Sequence, residues 1–351
     1  MKKYQPFRIG KNFVSLLLDK KAAIVITTLA VLSAIVLLTS AGIGEIILNP
    51  FQVFMTLLGY GEKMDLLVVQ SFRMPRILIA LLAGICLGSA GAILQSLIRN
   101  PLASPDIIGI TGGAAIAVVG FFAYFSDSSN SLTISIHWLP IAAFLGATLI
   151  GLLVYFLSWK KGASSFRLVL IGIGMSMLAQ SITTLLMIQG PIYRASEANV
   201  WITGSVYGAS WEQVHILAPV TLIFVLISFV SSRNINIQEL GEEIATGVGS
   251  TVQKNRFLLL LLSTALTGSA VAFAGGIGFV GLIAPHIARR LVGSSFGALL
   301  PVAALIGGLL VMIADLIGRT LFAPLEVPAG VFTAAIGAPY FIYLLYKTRN
   351  S

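Results

Sequence analysis

The sequence is short of charge. Only 10% of its 351 residues are Asp, Glu, Lys or Arg, while 57% are hydrophobic. A soluble domain carries roughly 25% charged residues, and so few charges cannot cover a water-facing surface on a chain of this length. The excess of apolar side chains must face lipid. Cysteine is nearly absent. Cys86 stands alone inside an apolar run, which excludes an intrachain disulfide and reads as small-residue packing. Histidine is scarce too: His137, His215 and His286 are far apart, with no H-E-x-x-H and no Cys/His cluster, so no metal site is expected. There is no G-x-x-x-x-G-K-[ST], so the chain has no P-loop of its own, and no G-x-S-x-G marks a nucleophile. No catalytic residue and no bound cofactor are expected. The segment Gly276-Ile-Gly278-Phe-Val-Gly281 fits G-x-G-x-x-G, but it lies between two apolar runs instead of after a strand; its glycines read as a sharp turn and close packing.

What is present in abundance is long uncharged runs. Residues 22–44, 77–98, 107–126, 138–159, 168–193, 213–232, 257–288, 291–314 and 327–346 carry no Asp, Glu, Lys or Arg. One spanning helix needs about 20 residues. The run 257–288 is too long for one span and contains Ala274-Gly275-Gly276-Ile277-Gly278, so it divides there into two, the second short and ended near Pro285. The expectation is an all-α integral membrane protein of about ten transmembrane helices. Gly84, Gly88 and Ala92, with Gly91 beside them, form a small-residue stripe suited to close helix packing.

The formal charge of +9 does not point to nucleic acid. The basic residues sit in short loops, and an even number of spans puts most of them on one side, with both termini, as the positive-inside rule requires. Lys63, Arg73, Arg76, Arg194 and Arg319 are the exceptions on the other side. Arg73, Arg76 and Arg319 lie at span ends. Two readings fit them equally: snorkelling to lipid headgroups, or facing an acidic partner outside the membrane. The apolar runs hold almost no carboxylate. Asp315 is the nearest case, and Arg319 at i+4 offers it a local ion pair. That scarcity argues against an ion-coupled carrier.

The longest polar inner loop, within residues 233–256, places Glu239, Glu242 and Glu243 beside Ile237, Leu240, Ile244 and Val248, punctuated by Gly241, Gly247 and Gly249. This is a short amphipathic helix pattern. Its acidic residues suit a cytoplasmic protein partner better than an anionic leaflet.

Several segments, in order, resemble the FecCD permeases, the membrane subunits of ABC importers for iron–siderophores, haem and vitamin B12. They are Arg73-Met-Pro-Arg76, Gly91-Ala-Ile-Leu-Gln95, Asn100-Pro-Leu-Ala-Ser-Pro105-Asp-Ile-Ile-Gly109, Trp201-Ile-Thr-Gly204-Ser205, Leu240-Gly241-Glu242, Gly275 through His286, Ala314-Asp315-Leu-Ile-Gly-Arg319, Glu326-Val-Pro328-Ala-Gly330 and Gly337-Ala-Pro339. The resemblance runs from about residue 24 to residue 346. It implies the vitamin B12 importer-like (type II ABC importer) permease fold in one transmembrane domain over 1–351, with residues 1–21 a cytoplasmic segment. It also implies a bacterial cytoplasmic membrane location.

The resemblance further implies partners and roles. A second permease subunit, identical or paralogous, would complete the pore. Two cytoplasmic ABC ATPase subunits would bind ATP and Mg, and an extracytoplasmic siderophore-binding protein would deliver a ferric siderophore. Arg73, Arg76 and Arg319 match the family arginines that receive glutamates of the binding protein. Glu239, Leu240, Gly241, Glu242, Ile244 and Gly247 match the segment that couples to the ATPase. Ser164, Ser165 and Phe166 lie where the family places a cytoplasmic gate, although Phe166 departs from the small polar residue expected there. The Pro101–Thr111 stretch looks closer to the iron–siderophore branch than to the vitamin B12 branch. Haem or vitamin B12 is the alternative cargo. An ion-coupled secondary transporter and an intramembrane hydrolase are the alternative classes.

Overall fold

The computed structural model describes residues 4–9, 14–127, 131–160, 162–190 and 192–349. Part of the expected segment 1–21 is an antiparallel hairpin, β1 (Tyr4–Ile9) with β2 (Val14–Asp19), in register Tyr4↔Asp19; residues 1–3 and 10–13 lie outside the described residues. Among the described residues fifteen α-helices follow: α1 (Lys20–Gly42), α2 (Pro50–Leu57), α3 (Lys63–Leu66), α4 (Met74–Ile98), α5 (Ile110–Tyr124), α6 (Leu139–Leu157), α7 (Ser165–Gln189), α8 (Ile192–Thr203), α9 (Trp211–Val230), α10 (Ser232–Glu239), α11 (Glu242–Gly247), α12 (Val252–Ala274), α13 (Val280–Val292), α14 (Phe296–Thr320) and α15 (Ala329–Arg349). A π-helical segment, Leu67–Arg73, joins α3 to α4.

Eight helices among the described residues are long and apolar enough to cross a membrane: α1, α4 with its π-helical extension, α6, α7, α9, α12, α14 and α15. The other two expected spans are shorter. Helix α5 has 15 residues and α13 has 13. At 1.5 Å per residue they reach only about 22 and 20 Å, short of the ~30 Å hydrocarbon core. Irregular backbone precedes each of them, residues 100–109 and 275–279. Such backbone survives at membrane depth only where protein covers it and its amides find partners. Here they do. Ile110 N–H donates to Pro105 O at 3.1 Å, Gly109 N–H to Asp106 O at 3.1 Å, and Gly276 N–H to Trp201 O at 2.9 Å.

Helix α4 is the centre of the bundle and packs on α9, α12, α13 and α14. The expected small-residue stripe makes these crossings close. An added Cβ at Gly84 would strike the Gly307 carbonyl of α14, one at Gly88 the Ala303 carbonyl, and one at Gly91 the Gly281 carbonyl of α13. Buried polar groups then bridge the backbones directly: Ser263 Oγ donates to Ala90 O at 3.0 Å, and Gln95 Nε2 to Leu282 O at 3.1 Å.

The Gly275–Gly278 break has a similar cause. Gly275 (φ 68°) and Gly276 lie against the carbonyls of Trp201 and Ile202 at the end of α8, and Gly330 at the start of α15 lies against Thr203. Three chain ends meet backbone to backbone, which side chains would prevent. In the G-x-G-x-x-G match, Gly276 and Gly281 are closely packed, whereas nothing stands within 4 Å of a Cβ built on Gly278.

Candidate functional site

Two clusters of charge lie at opposite ends of α4. The first gathers the three span-end arginines among the residues that broke the sorting rule, Arg73, Arg76 and Arg319. The π-helical segment sets up this end. Its widened turn leaves Gln70 O free to accept from Trp211 Nε1 at 2.8 Å, and Gln70 Nε2 donates to Thr56 O at 2.7 Å. Arg73, the last π-helical residue, is buried and donates to Ala41 O at 2.7 Å and Ile46 O at 2.6 Å. Arg319 donates to the carbonyl of Ser40, and to Ser40 Oγ at 2.8 Å. Two cations therefore cap the last carbonyls of α1, where the helix dipole is negative and the carbonyls lack donor partners.

Arg76 binds acids of its own chain. Its Nη2 lies 2.8 Å from Asp315 Oδ1 and its Nη1 2.8 Å from Glu326 Oε2, while Tyr207 packs its ring 5.7 Å from the guanidinium carbon. The local Arg319–Asp315 pair expected at i+4 exists at 3.8 Å, but Arg76 holds that carboxylate more closely. Arg73, Arg76, Arg319, Tyr207 and Glu326 line an open depression of about 780 Å³, together with Glu45, Phe72, Trp211 and Pro324. The arginines are gathered at one rim, and each already has partners within the chain.

The second cluster is the 233–256 region. It folds as two helices, α10 and α11, with Gly241 (φ 119°) making the bend between them. The acidic residues divide. Glu239 pairs with Arg289 of α13 at 3.4 Å, and Glu242 with Arg256 of α12 at 3.5 Å. The apolar residues go the other way: Leu240, Ile244 and Val248 are 64%, 54% and 65% exposed. Of the six coupling candidates, then, Glu239 and Glu242 hold the segment to its own chain. Leu240 and Ile244 are presented outward, and no heavy atom stands within 4 Å of a Cβ built on Gly247.

The three gate candidates begin α7. Ser164 caps the helix, accepting from Arg167 N–H at 3.3 Å, and Ser165 Oγ donates to Leu97 O at 3.3 Å at the end of α4. Phe166 is 77% exposed.

Two positions escaped the sequence reading. Asp106 stands one residue outside an uncharged run and was given no role of its own. In the structure its stretch turns back to the middle of α7, where Ser176 Oγ donates to Asp106 O at 3.4 Å. Its carboxylate accepts from Phe279 N–H at 3.3 Å, the residue that opens α13. The proline pair Pro101 and Pro105, which breaks any helix there, is the signal that could have found it. Arg256 was counted only as a basic loop residue, yet it is 4% exposed. Among the described residues no group of His, Cys, Asp and Glu could hold a metal ion.

The architecture is that of a polytopic helical membrane permease. The chain belongs to the FecCD transport family, whose model matches residues 31–347. It is 68% identical over 333 residues to the "Probable siderophore transport system permease protein YfhA" of Bacillus subtilis (strain 168), covering 95% of this chain and 97% of that protein. It is 45% identical to the achromobactin transport system permease protein CbrC of Dickeya dadantii (strain 3937), covering 90% and 89%. A solved structure presented as an inward-facing conformation of a metal-chelate type ABC transporter superposes with a TM-score of 0.81 at 31% identity, covering 93% of this chain and 99% of that one.

Proposed function

We propose that the chain is the membrane-spanning permease subunit of an ABC importer that moves a ferric siderophore across the bacterial cytoplasmic membrane. The observation that carries this reading is the 68% identity to a siderophore transport permease along nearly the whole of both chains. Further relatives are named for iron(3+)-hydroxamate and Fe(3+)-citrate import, which favours an iron chelate over haem or vitamin B12. The chain is a transport subunit and not an enzyme. ATP and Mg belong to two cytoplasmic ATPase subunits, and an extracytoplasmic binding protein hands over the cargo.

Both termini lie in the cytoplasm in this reading, so the Arg73–Arg76–Arg319 rim faces outward and α10–α11 face inward. The rim depression receives the binding protein. The apolar edge Leu240, Ile244 and Val248 fits a groove on the ATPase. The start of α7, Ser164 to Phe166, forms part of the inner gate. A second permease subunit covers α7, on which Gln180, Ser181 and Thr184 are exposed within an apolar span. Polar groups facing hydrocarbon are costly, which supports a water-filled path or a partner there.

The test is reconstitution in liposomes with the ATPase and binding protein, following uptake of a labelled ferric hydroxamate, with haem and cobalamin as competitors. ATP-dependent iron uptake is expected. Uptake by the chain alone, driven by a proton gradient, would identify an ion-coupled carrier instead.

A further inference from the structure

Four polar groups close a ring at the α11 end of the molecule. Gln253 and Arg256, one turn apart near the start of α12, each hold the same two partners. Gln253 Oε1 accepts from Ala163 N–H at 3.0 Å, and its Nε2 donates to Glu242 Oε1 at 3.3 Å. Arg256 Nη1 donates to the carbonyl of Ala163, and its Nη2 to Glu242 Oε2 at 3.5 Å. Both main-chain groups of Ala163 and both carboxylate oxygens of Glu242 are thus engaged by one pair of side chains. Gly162 (φ 115°) makes room for this, because a Cβ there would come within 2.8 Å of Gln253 Nε2. Arg167 adds to the same turn, donating to Lys160 O at 3.2 Å and Gly162 O at 2.5 Å.

The two ends of this ring belong to different elements, both anchored on α12. Ala163 immediately precedes Ser164, which caps α7. Helix α7 lies at the edge of the bundle, with 22% of its spanning window buried against 78% for α12. Glu242 begins α11, whose apolar edge is exposed. Because Arg256 is buried, separating it from its acceptors would leave an uncompensated charge, so the ring resists opening.

We infer that Gln253 and Arg256 are positioning residues for transport, tying the movement of the ATPase-facing helix α11 to the α6–α7 turn that opens or closes the inner gate. The inference rests on the reading of α11 and of the Ser164–Phe166 turn given under the proposed function. Neither residue touches cargo or nucleotide. They act through Ala163.

The experiment uses the whole importer in liposomes and measures two rates, ATP hydrolysis and ferric hydroxamate uptake. In Gln253→Leu and Arg256→Met, hydrolysis is expected to continue while uptake per ATP falls about tenfold, the factor that loss of one charge-assisted hydrogen bond represents. Arg256→Lys, which keeps the charge, is expected to recover part of the ratio. Gln253 is only half-buried, so its variant keeps the test open where Arg256→Met does not assemble. A spin-label pair on Thr246 of α11 and Lys160 of the α6–α7 turn, both exposed, reads the same link: the ATP-dependent change in their separation should shrink in Gln253→Leu. An unchanged uptake-to-hydrolysis ratio in a complex whose wild type is ATP-driven overturns the relay alone. A wild-type complex that takes up iron without ATP overturns the functional reading and the relay with it.

Discussion

Arg76 and Asp315, 239 positions apart in the chain, are joined by two contacts, with Arg76 Nε 2.9 Å and Nη2 2.8 Å from Asp315 Oδ1. The pair pins the start of α4 to the end of α14. It sits where sequence spacing alone would have put an Asp315–Arg319 pair within one helix. The Asp315 side chain is only 3% exposed, so its charge depends on protein partners and not on water.

Removing that carboxylate should be costly. Asp315→Ala leaves Arg76 and Arg319 short of a counter-charge in a largely buried place, and breaking a buried pair costs about 3–5 kcal/mol. Glu326→Gln is the contrast. It removes the other partner of Arg76, but Glu326 is 38% exposed, and exposed ion pairs contribute about 1 kcal/mol or less. Thermal unfolding of the detergent-purified protein should rank Asp315→Ala far below wild type and Glu326→Gln close to it. Equal losses would mean that the two acids share the load.

The same arrangement shapes docking. A carboxylate arriving from a binding protein meets an Arg76 that already holds Glu326. Glu326→Gln frees Arg76 Nη1 and should therefore raise the association rate of the binding protein, while Arg76→Gln should lower it. Both effects should fade as salt rises, as expected for steering by rim charges. Association measured across a salt series checks this. A Glu326→Gln variant that docks more slowly would show that the acid, not the arginine, is recognised.

The eight long apolar helices were legible in the sequence because lipid imposes a simple demand: about 20 uncharged residues per span. The interruption at Gly275–Gly278 was legible for a comparable reason, since glycine clusters break helices. The shortness of α5 and α13 was not. It depends on irregular backbone being covered by α7 and α8, a tertiary fact that hydropathy does not encode. The rim arginines were legible as anomalies of charge sorting, and the structure brings them together. Their partners were not legible, because Arg73 and Arg319 use the Ala41 and Ser40 carbonyls at the end of α1, and main-chain acceptors leave no trace in residue type. For the same reason Arg256 looked like an ordinary positive-inside residue. Half of its engagement is with the carbonyl of Ala163.

The crossing of α4 and α14 offers a test of packing. Gly84 faces Gly307, and neither position has room for a methyl group beyond the facing backbone. Gly84→Ala or Gly307→Ala should push the helices apart and cost about 1–3 kcal/mol or more, the usual penalty of overpacking. Gly297, in the first turn of the same α14, has nothing within 4 Å of a built Cβ. Gly297→Ala should leave stability unchanged or raise it slightly through helix propensity. Unfolding temperatures of the three variants separate close packing from a general intolerance of substitution.

Helix α11 and the residues flanking it present an apolar edge. Its acidic pattern suggested a polar contact, but Glu242 is turned back to Arg256 and Glu239 of α10 to Arg289. Leu240, Ile244 and Val248 point outward, with Glu243 beside them. Interfaces draw most of their affinity from a few anchors that become fully desolvated, while rim charges contribute little. Ile244→Asp and Val248→Asp should each weaken association with the ATPase by tenfold or more, about 1.4 kcal/mol. Glu243→Gln should have a small effect that disappears in salt. Because these side chains are exposed, the purified variants should unfold at the wild-type temperature, which separates lost docking from lost folding. The reverse order, with Glu243→Gln dissociating the complex and Ile244→Asp leaving it intact, would return the coupling role to charge.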